Sequence, residues 1–493
     1  MKKMIFSLLF MLLSLAIMGQ MLPDTLWTRT IDREMMVNEL FSVVQDSDGN
    51  FVVAGNTENY GSDDYRDLWI MKYSANGNLI WEKKFLEDNS YEIGGYLANL
   101  SDGFVIGGTT DNDENSSSIL IKIDNNGNYV WSYIHNMSNQ NISLRSIAGL
   151  CDNSGIVSAG WFGDEYNNES QAFLFEVNPN GTLEWFQGYD FGNPNDDYNK
   201  KIFSVIQTLD HGFIASGDYL QYDENYNYQS DIFVIKTDNL GNEEWHKIYS
   251  LAHNSFSTSI KQTSQGDYLI TGYTIEDDNT ESNAIFLMKI DENGDIIWQR
   301  EYRNDGFDDK AYDLEVLSDG TYAISGYIQN DHAIIIKTDE LGYLEWEKIL
   351  YNGNKKLYDI LETNDHGIIA VGTCWDNSSE DAYMLRLGIV ANNQLNTLPQ
   401  STLLLQQNYP NPFNPETNIN FTIARNNVYT TFDIFNLKGQ KVKRILGKKI
   451  KAGNYTVTWN GKDELGRKVA DGVYFYKIST PDNSTIKKMV LLK

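Results

Sequence analysis

The chain has 493 residues, with 68 Asp+Glu against 39 Lys+Arg, 13% aromatic residues and two Cys. That length holds two or three domains. A formal charge of −29 repels phosphate backbones and excludes a nucleic-acid role, and two Cys cannot build a disulfide framework, so Cys151 and Cys374 are expected as isolated thiols.

Met1 to Gln20 reads MKKMIFSLLFMLLSLAIMGQ: Lys2 and Lys3, an apolar run from Met4 to Met18, then a small-residue end. This is the layout of a secretory signal peptide, residues 1–20, and it is too short for a membrane span. No Cys stands at the expected cleavage point, which argues against a lipid anchor. No later stretch is long and apolar enough for a transmembrane helix.

From residue 21 to 388 one phrase recurs, seen at its clearest in Ala284 to Arg300, AIFLMKIDENGDIIWQR. Two apolar runs flank an Asp-x-x-Gly turn, which is a hairpin signal. Its Trp recurs at Trp81, Trp131, Trp185, Trp245, Trp298 and Trp346, each with a Gly four residues earlier. A Lys ends the preceding apolar run in most copies, whereas the third copy has Glu176 there. Upstream of each hairpin lies a second one, turning at Asp-Gly or Asp-His-Gly and ending in phrases such as FVVAG, FIASG and IIAVG. The first hairpin occurs seven times but the second has only six complete copies, because Ala382 to Gly388 lacks a following Trp strand. The missing strand is Thr25 to Ile31, TLWTRTI, carrying Trp27. The count therefore closes at seven four-stranded units, which predicts an all-β, seven-bladed β-propeller whose N-terminal strand completes the last blade. The seven Trp are expected between neighbouring blades, and the Lys with its head near an acidic group.

Variation concentrates between the second and third strands of each unit, in Asn56 to Arg66, Thr109 to Ser117, Trp161 to Ser170, Asp218 to Ser230, Tyr273 to Ser282, Tyr327 to Asp331 and Thr373 to Glu380. Repeat proteins often bind through the face that carries such insertions. Aromatic rings beside amides and carboxylates suit sugar rings, so a glycan or a surface protein is the expected ligand. Asp111-x-Asp113-x-Asn115 begins like a calcium loop, but it lacks the Gly at the sixth position and has Lys122 at the twelfth, which leaves only weak calcium binding by scattered acids.

Nothing in the chain signals catalysis or a cofactor. The six His lack zinc-ligand spacing, with His211 and His366 in turn positions, and there is neither a nucleophile elbow nor a phosphate loop. Carboxylate pairs assembled from different blades would still allow a polysaccharide-acting hydrolase or lyase in the central channel. The hairpin spacing does not fit the Asp boxes of sialidases. It is similar to the Trp-docking hairpin of quinoprotein dehydrogenases, without their cofactor residues.

After Gly388 the composition changes. An Asn-rich linker, residues 389–402, leads into residues 403–493, which hold 15 Lys+Arg against 6 Asp+Glu, in contrast to 24 against 62 in the rest. About seven alternating segments read as a small immunoglobulin-like β-sandwich. Asn408, Pro410, Asn411, Pro412 and Phe413 open it in the run NYPNPFNP, Trp459 and Gly461 belong to the GNYTVTWNGKD block, and Gly472 and Tyr474 to the GVYFY block. Together with the terminal KKMVLLK, these residues resemble a type IX secretion sorting domain and are similar to the immunoglobulin-like domain of flagellar hook-capping proteins. The resemblance implies a Bacteroidetes-type bacterium, the type IX secretion machinery as partner, and secretion or attachment at the outer surface of the outer membrane. Taken together, the chain is expected to be a monomeric secreted or cell-surface binding or adhesion propeller with a sorting module. A purely structural surface-layer role is the third class.

Overall fold

The computed structural model describes residues 22–32, 37–58, 66–85, 91–112, 115–138, 140–164, 169–191, 198–222, 228–251, 254–277, 282–302, 308–329, 331–375, 379–388, 403–405, 408, 413–423, 428–436, 438, 440–451, 453–480 and 484–492. Residues 1–20 and 389–402, read above as a signal peptide and a linker, lie outside them. The chain divides into two compact units, Met1–Val390 and Ala391–Lys493. Every described element is a β-strand, and among the described residues no helix is long and apolar enough to cross a membrane.

Among the described residues of the first unit, 28 strands form seven four-stranded blades, two of which are linked by a single parallel pair, Ser170 with Asn199. The first strands of the blades are Asn38–Gln45, Tyr91–Leu100, Asn141–Gly149, Tyr198–Gln207, Asn254–Gln262, Lys310–Val316 and Asn354–Glu362. Each packs beside the next, and Asn354–Glu362 packs on Asn38–Gln45, so the series closes into a ring. The N-terminal strand Thr25–Ile31 is the fourth strand of the last blade. It runs antiparallel to Glu380–Leu387, with Thr25 opposite Leu387 and Ile31 opposite Ala382. One apolar cluster spans this closure, joining Leu40, Val53, Trp69 and Met71 of blade 1 to Ile369, Val371, Ala382 and Met384 of blade 7.

Every blade is sandwiched between two others, so both faces of its middle strands are buried. Phe51–Glu58 and Arg66–Tyr73 are buried at all but one position each, which is why these strands read as unbroken apolar runs. The outer strands alternate instead, as in Tyr129–His135.

The hairpin turns are built from local side-chain bonds. The Asp124 carboxylate accepts the backbone N–H groups of Asn126 and Asn128, both at 2.8 Å, and Asp291 does the same for Asn293 and Asp295. The turn Gly then adopts a positive φ, about 75–83° in all six copies, and for a second reason it can only be Gly. A Cβ on Gly181 would stand 2.8 Å from the Trp131 ring of the preceding blade, and the other turn Gly face Trp27, Trp81, Trp185, Trp245 and Trp298 in the same way. Trp346 packs in the cluster joining blades 6 and 7. The strand-three cation bonds the Asp of its own blade's first turn: Lys72 with Asp46, Lys122 with Asp102, Lys236 with Asp210, Lys289 with Asp267, Lys337 with Asp319, and Arg386 with Asp365. In blade 3, Glu176 breaks this pattern and accepts the Trp185 indole N–H at 2.9 Å. His211 and His366 hold positive φ in their turns, and Cys151 and Cys374 are not joined in a disulfide.

The second unit is an immunoglobulin-like sandwich. One sheet orders Leu403–Leu405, Thr417–Ile423 and Gly453–Trp459; the other orders Lys441–Ile450, Val428–Asn436, Gly472–Ser479 and Ser484–Leu491. Phe413, Phe421, Phe432, Trp459, Tyr474, Tyr476 and Leu491 share one core.

Candidate functional site

The seven repeated Trp are spread around the ring, one to each blade contact, so they do not converge on a site. What converges is the set of first strands, and all seven carry a register shift at the same place. The shifts fall between Leu40 and Ser42, Gly94 and Tyr96, Leu144 and Ser146, Ile202 and Ser204, Ser257 and Ser259, Ala311 and Asp313, and Leu357 and Asp359. A bulge re-aims the extra residue. The extra residues are Phe41, Gly95, Arg145, Phe203, Thr258, Tyr312 and Tyr358. Six of them, with Tyr96 in place of Gly95, ring the axial channel and line an outer chamber of about 330 Å³ together with Asp218, Phe256, Ser257 and Tyr273. The same ring borders an inner chamber of about 310 Å³.

The outer chamber has aromatic walls. Phe41 stacks on Tyr358 at 5.3 Å, Tyr358 meets Tyr312 edge-on at 4.9 Å, and Phe256 stacks on Tyr273 at 5.0 Å. Burial pushes the Tyr312 and Tyr358 phenols above their usual range, so they remain neutral hydroxyl groups. Around the chamber, Lys201 lies over Trp161 at 4.5 Å, Lys310 over Tyr273 at 4.9 Å, and Lys356 over Tyr327 at 4.5 Å and Trp375 at 5.0 Å. These four rings stand at the beginnings of strand-two-to-three connections singled out in the sequence. The channel mouth therefore opens on the face that carries those connections. Residues 59–65, 113–114, 165–168, 223–227, 278–281, 330 and 376–378, their middles, lie outside the described residues, and the Asp111 to Asn115 segment is only partly inside them. Among the described residues no group of three His, Cys, Asp or Glu side chains is placed to hold a metal ion.

Below the ring, the residue after the bulge bonds the next blade in five of the seven blades. Ser146 accepts Val205 N–H at 3.2 Å, Ser204 accepts Ile260 N–H at 3.1 Å, Asp313 accepts Ile360 N–H at 3.2 Å, and Asp359 accepts Val43 N–H at 2.7 Å. Ser259 donates its hydroxyl to Asp313 at 2.7 Å. Burial, and then the adjacent Asp313, raises the Asp359 carboxyl well above its usual range. Lys261 lies 3.7 Å from Asp313 and 3.9 Å from Glu315, and burial pushes Glu315 up to about 7. Carboxylates thus do converge near the axis, from blades 6 and 7. The oxygens of the Asp pair, however, are taken up by backbone and hydroxyl donors that hold the ring together.

Sequence reading missed this channel because its residues are conspicuous only when the first strands are aligned. LFSV, LRSI, IFSV, STSI, AYDL and LYDI share Ser or Asp at the third place, and the residue before it is the bulge. In the sandwich, the motif residues Phe413, Trp459 and Tyr474 are core side chains. Asn408 is buried, with its backbone N–H on the Tyr476 hydroxyl at 3.0 Å and its side-chain amide on Thr417 at 3.0 Å. Gly461 and Gly472 take positive φ, while Pro410, Asn411 and Pro412 lie outside the described residues.

Residues 410–484 match the family model of the FlgD Ig-like domain. No curated protein matches the chain. Among solved structures, the chain is similar to PorZ, an essential bacterial surface component of the type-IX secretion system of Porphyromonas gingivalis, at 11% identity and TM-score 0.41, over 92% of this chain but 59% of that one. It is also similar to the periplasmic gluconolactonase PpgL of Pseudomonas aeruginosa (11% identity, TM-score 0.46, 83% of this chain and 99% of that one). A third is the alpha-L-arabinanase of Penicillium chrysogenum (10% identity, TM-score 0.40, 65% and 97%).

Proposed function

We propose that the chain is a secreted or surface-attached saccharide-binding propeller, exported through the type IX secretion system by its C-terminal sandwich. The observation that carries the binding reading is the outer chamber of the channel: an open cavity of about 330 Å³ walled by Phe41, Tyr96, Phe203, Tyr312 and Tyr358. Its size lies at the lower end of the range of small-ligand sites, and sugar rings stack on such faces while tyrosine hydroxyls bond their hydroxyls. A glycan array probed with the full mature chain tests it. Selective binding that Tyr358→Ala abolishes is expected, and a blank array refutes it.

Export rests on the sandwich. Its opening run and its Trp459 and Gly472 blocks resemble those of a sorting domain, its charge is opposite to that of the propeller, and residues 410–484 match an immunoglobulin-like family model. Residues 403–493 fused to a reporter should carry it to the surface of a type IX-competent strain; periplasmic retention refutes this part. The signal peptide, residues 1–20, supplies the inner-membrane step.

A second reading is favoured by the acids beneath the ring: a hydrolase or lyase with Glu315, raised to about 7 by burial, as the proton donor. It predicts polysaccharide turnover lost in Glu315→Gln.

A further inference from the structure

We propose that the outer chamber takes an acidic saccharide, a hexuronic-acid type, by seating its carboxylate on Arg145; this rests on the saccharide-binding reading above. Arg145 is the one cation among the seven bulge residues, and its Nε is buried and meets no acceptor among the described residues. No carboxylate of the described residues lies within ion-pairing distance of it. The other cations of the channel are provided for. Lys310 lies 3.3 Å from Asp308, Lys356 lies 3.2 Å from Asp331, and Lys261 sits between Asp313 and Glu315.

An N–H taken out of water is costly unless an acceptor replaces its hydration. Arg145 is half-buried and Nε is the nitrogen withheld from water; the chamber offers the guanidinium aromatic faces and hydroxyls, so an incoming carboxylate would be its first charged partner. The acid of the chamber wall does not compete: the Asp218 carboxylate oxygen accepts Ser257 N–H at 2.9 Å, and burial raises that carboxyl well above its usual range. The planar fork of Arg matches a carboxylate in two parallel bonds. One guanidinium suits a single carboxylate per ring. The acidic body of the propeller, with 62 Asp+Glu against 24 Lys+Arg outside residues 403–493, disfavours densely charged polyanions such as sulfated chains. The aromatic walls then hold the sugar face.

The test is calorimetric titration of the full mature chain with oligogalacturonate and oligoglucuronate, with neutral oligosaccharides of equal length, and with a sulfated oligosaccharide as a further arm. Wild type should prefer the uronates by roughly tenfold or more. Arg145→Gln should erase that preference, and Arg145→Lys should keep part of it. Removing an unpartnered charge should leave the melting temperature of Arg145→Gln unchanged or raised, which separates a lost ligand contact from a lost fold. Equal binding of neutral and uronate chains, unaffected by Arg145→Gln, overturns the acid assignment while the saccharide reading stands. A preference for the sulfated arm likewise overturns the carboxylate. Binding of none of the probes overturns both.

Discussion

The N-terminal strand closes the ring, and Trp27→Ala measures how much that closure contributes. The Trp27 indole lies over Gly77 of blade 1, where a Cβ would stand 3.0 Å from it, and its centroid is 6.1 Å from that of Phe51. Its Nε1–H donates to the Ala75 carbonyl at 3.1 Å. Truncating a fully buried Trp costs about 3–5 kcal/mol. Trp27 is half-buried, so about 2 kcal/mol of packing is at stake, with about 1 kcal/mol more for the hydrogen bond. Trp131 provides the control in mid-chain, because it makes the equivalent stack on Gly181 and donates to Pro179 at 2.8 Å. In a closed ring the first blade contact is no weaker than the others. Trp27→Ala and Trp131→Ala should therefore lose the same stability within about 1 kcal/mol, measured by urea denaturation as one cooperative transition. An open array behaves differently, because its ends fray at little global cost. A near-neutral Trp27→Ala beside a costly Trp131→Ala, or a separate early transition, would refute the closure argument.

Gly181→Ala should cost at least about 2 kcal/mol, since it combines a positive φ with a Cβ 2.8 Å from Trp131, whereas Gly320→Ala, at φ 83° with open space around it, should cost only about 1. Thermal melts of the two variants check the difference. Asp359→Ala leaves the Val43 N–H without an acceptor and should lose about 1–3 kcal/mol, whereas Asp359→Asn keeps an oxygen there and should lose less than about 1, by the same denaturation assay. Burial first, then the Glu380 carboxylate, pushes Glu39 from 4.5 up to about 7. The unfolded chain releases that proton at lower pH than the folded one, so stability is lost as pH rises from about 5 to 7. Glu39→Gln should match wild type near pH 5 and exceed it at pH 8, by an amount on the order of 2–3 kcal/mol; coincident stability–pH profiles would refute this.

The blades were legible because their signals are local and repeated. An Asp-x-x-Gly turn fixes its own hairpin through carboxylate-to-backbone bonds, and the strand count alone required Thr25–Ile31 to return to the last blade. The channel was illegible for the opposite reason. Phe41, Arg145, Phe203 and Tyr358 share no single residue type and stand some 50 residues or more apart in sequence, so only closure of the ring brings them together. Aromatics at the starts of the strand-two-to-three connections, Trp161, Tyr273, Tyr327 and Trp375, were visible as loop residues. Their stacking against Lys201, Lys310 and Lys356 of the first strands was not, because that contact depends on how the blades are arranged around the axis.

The repeat also separates two duties at adjacent positions of one strand. The residue after the bulge is Ser or Asp in six blades and in four of them accepts an N–H of the next blade, so it is tied to the ring and cannot vary freely. The bulge residue itself makes no ladder pairing and is released from that duty. In a chain of near-identical units, a position that every blade presents to the axis but fills differently is the place where a single ligand can be read. The belt is not uniform either. The seam that closes the ring runs through blade 7, between Thr25–Ile31 and Glu380–Leu387, and the belt bond that spans it, from Val43 to Asp359, is 2.7 Å long, whereas its counterparts on Ser204, Ser146 and Asp313 are 3.1, 3.2 and 3.2 Å. Asn364 N–H to the Gln45 side chain at 2.7 Å and Gly388 N–H to the Asp24 carbonyl at 2.9 Å cross the same seam. Asp359 thus makes the shortest of the four belt bonds at the closure, while the Asp313 bond to Ile360, between blades 6 and 7, is 3.2 Å like the serine ones; both Asp side chains are engaged in holding the ring, which leaves the proposed recognition to the bulge residues above them.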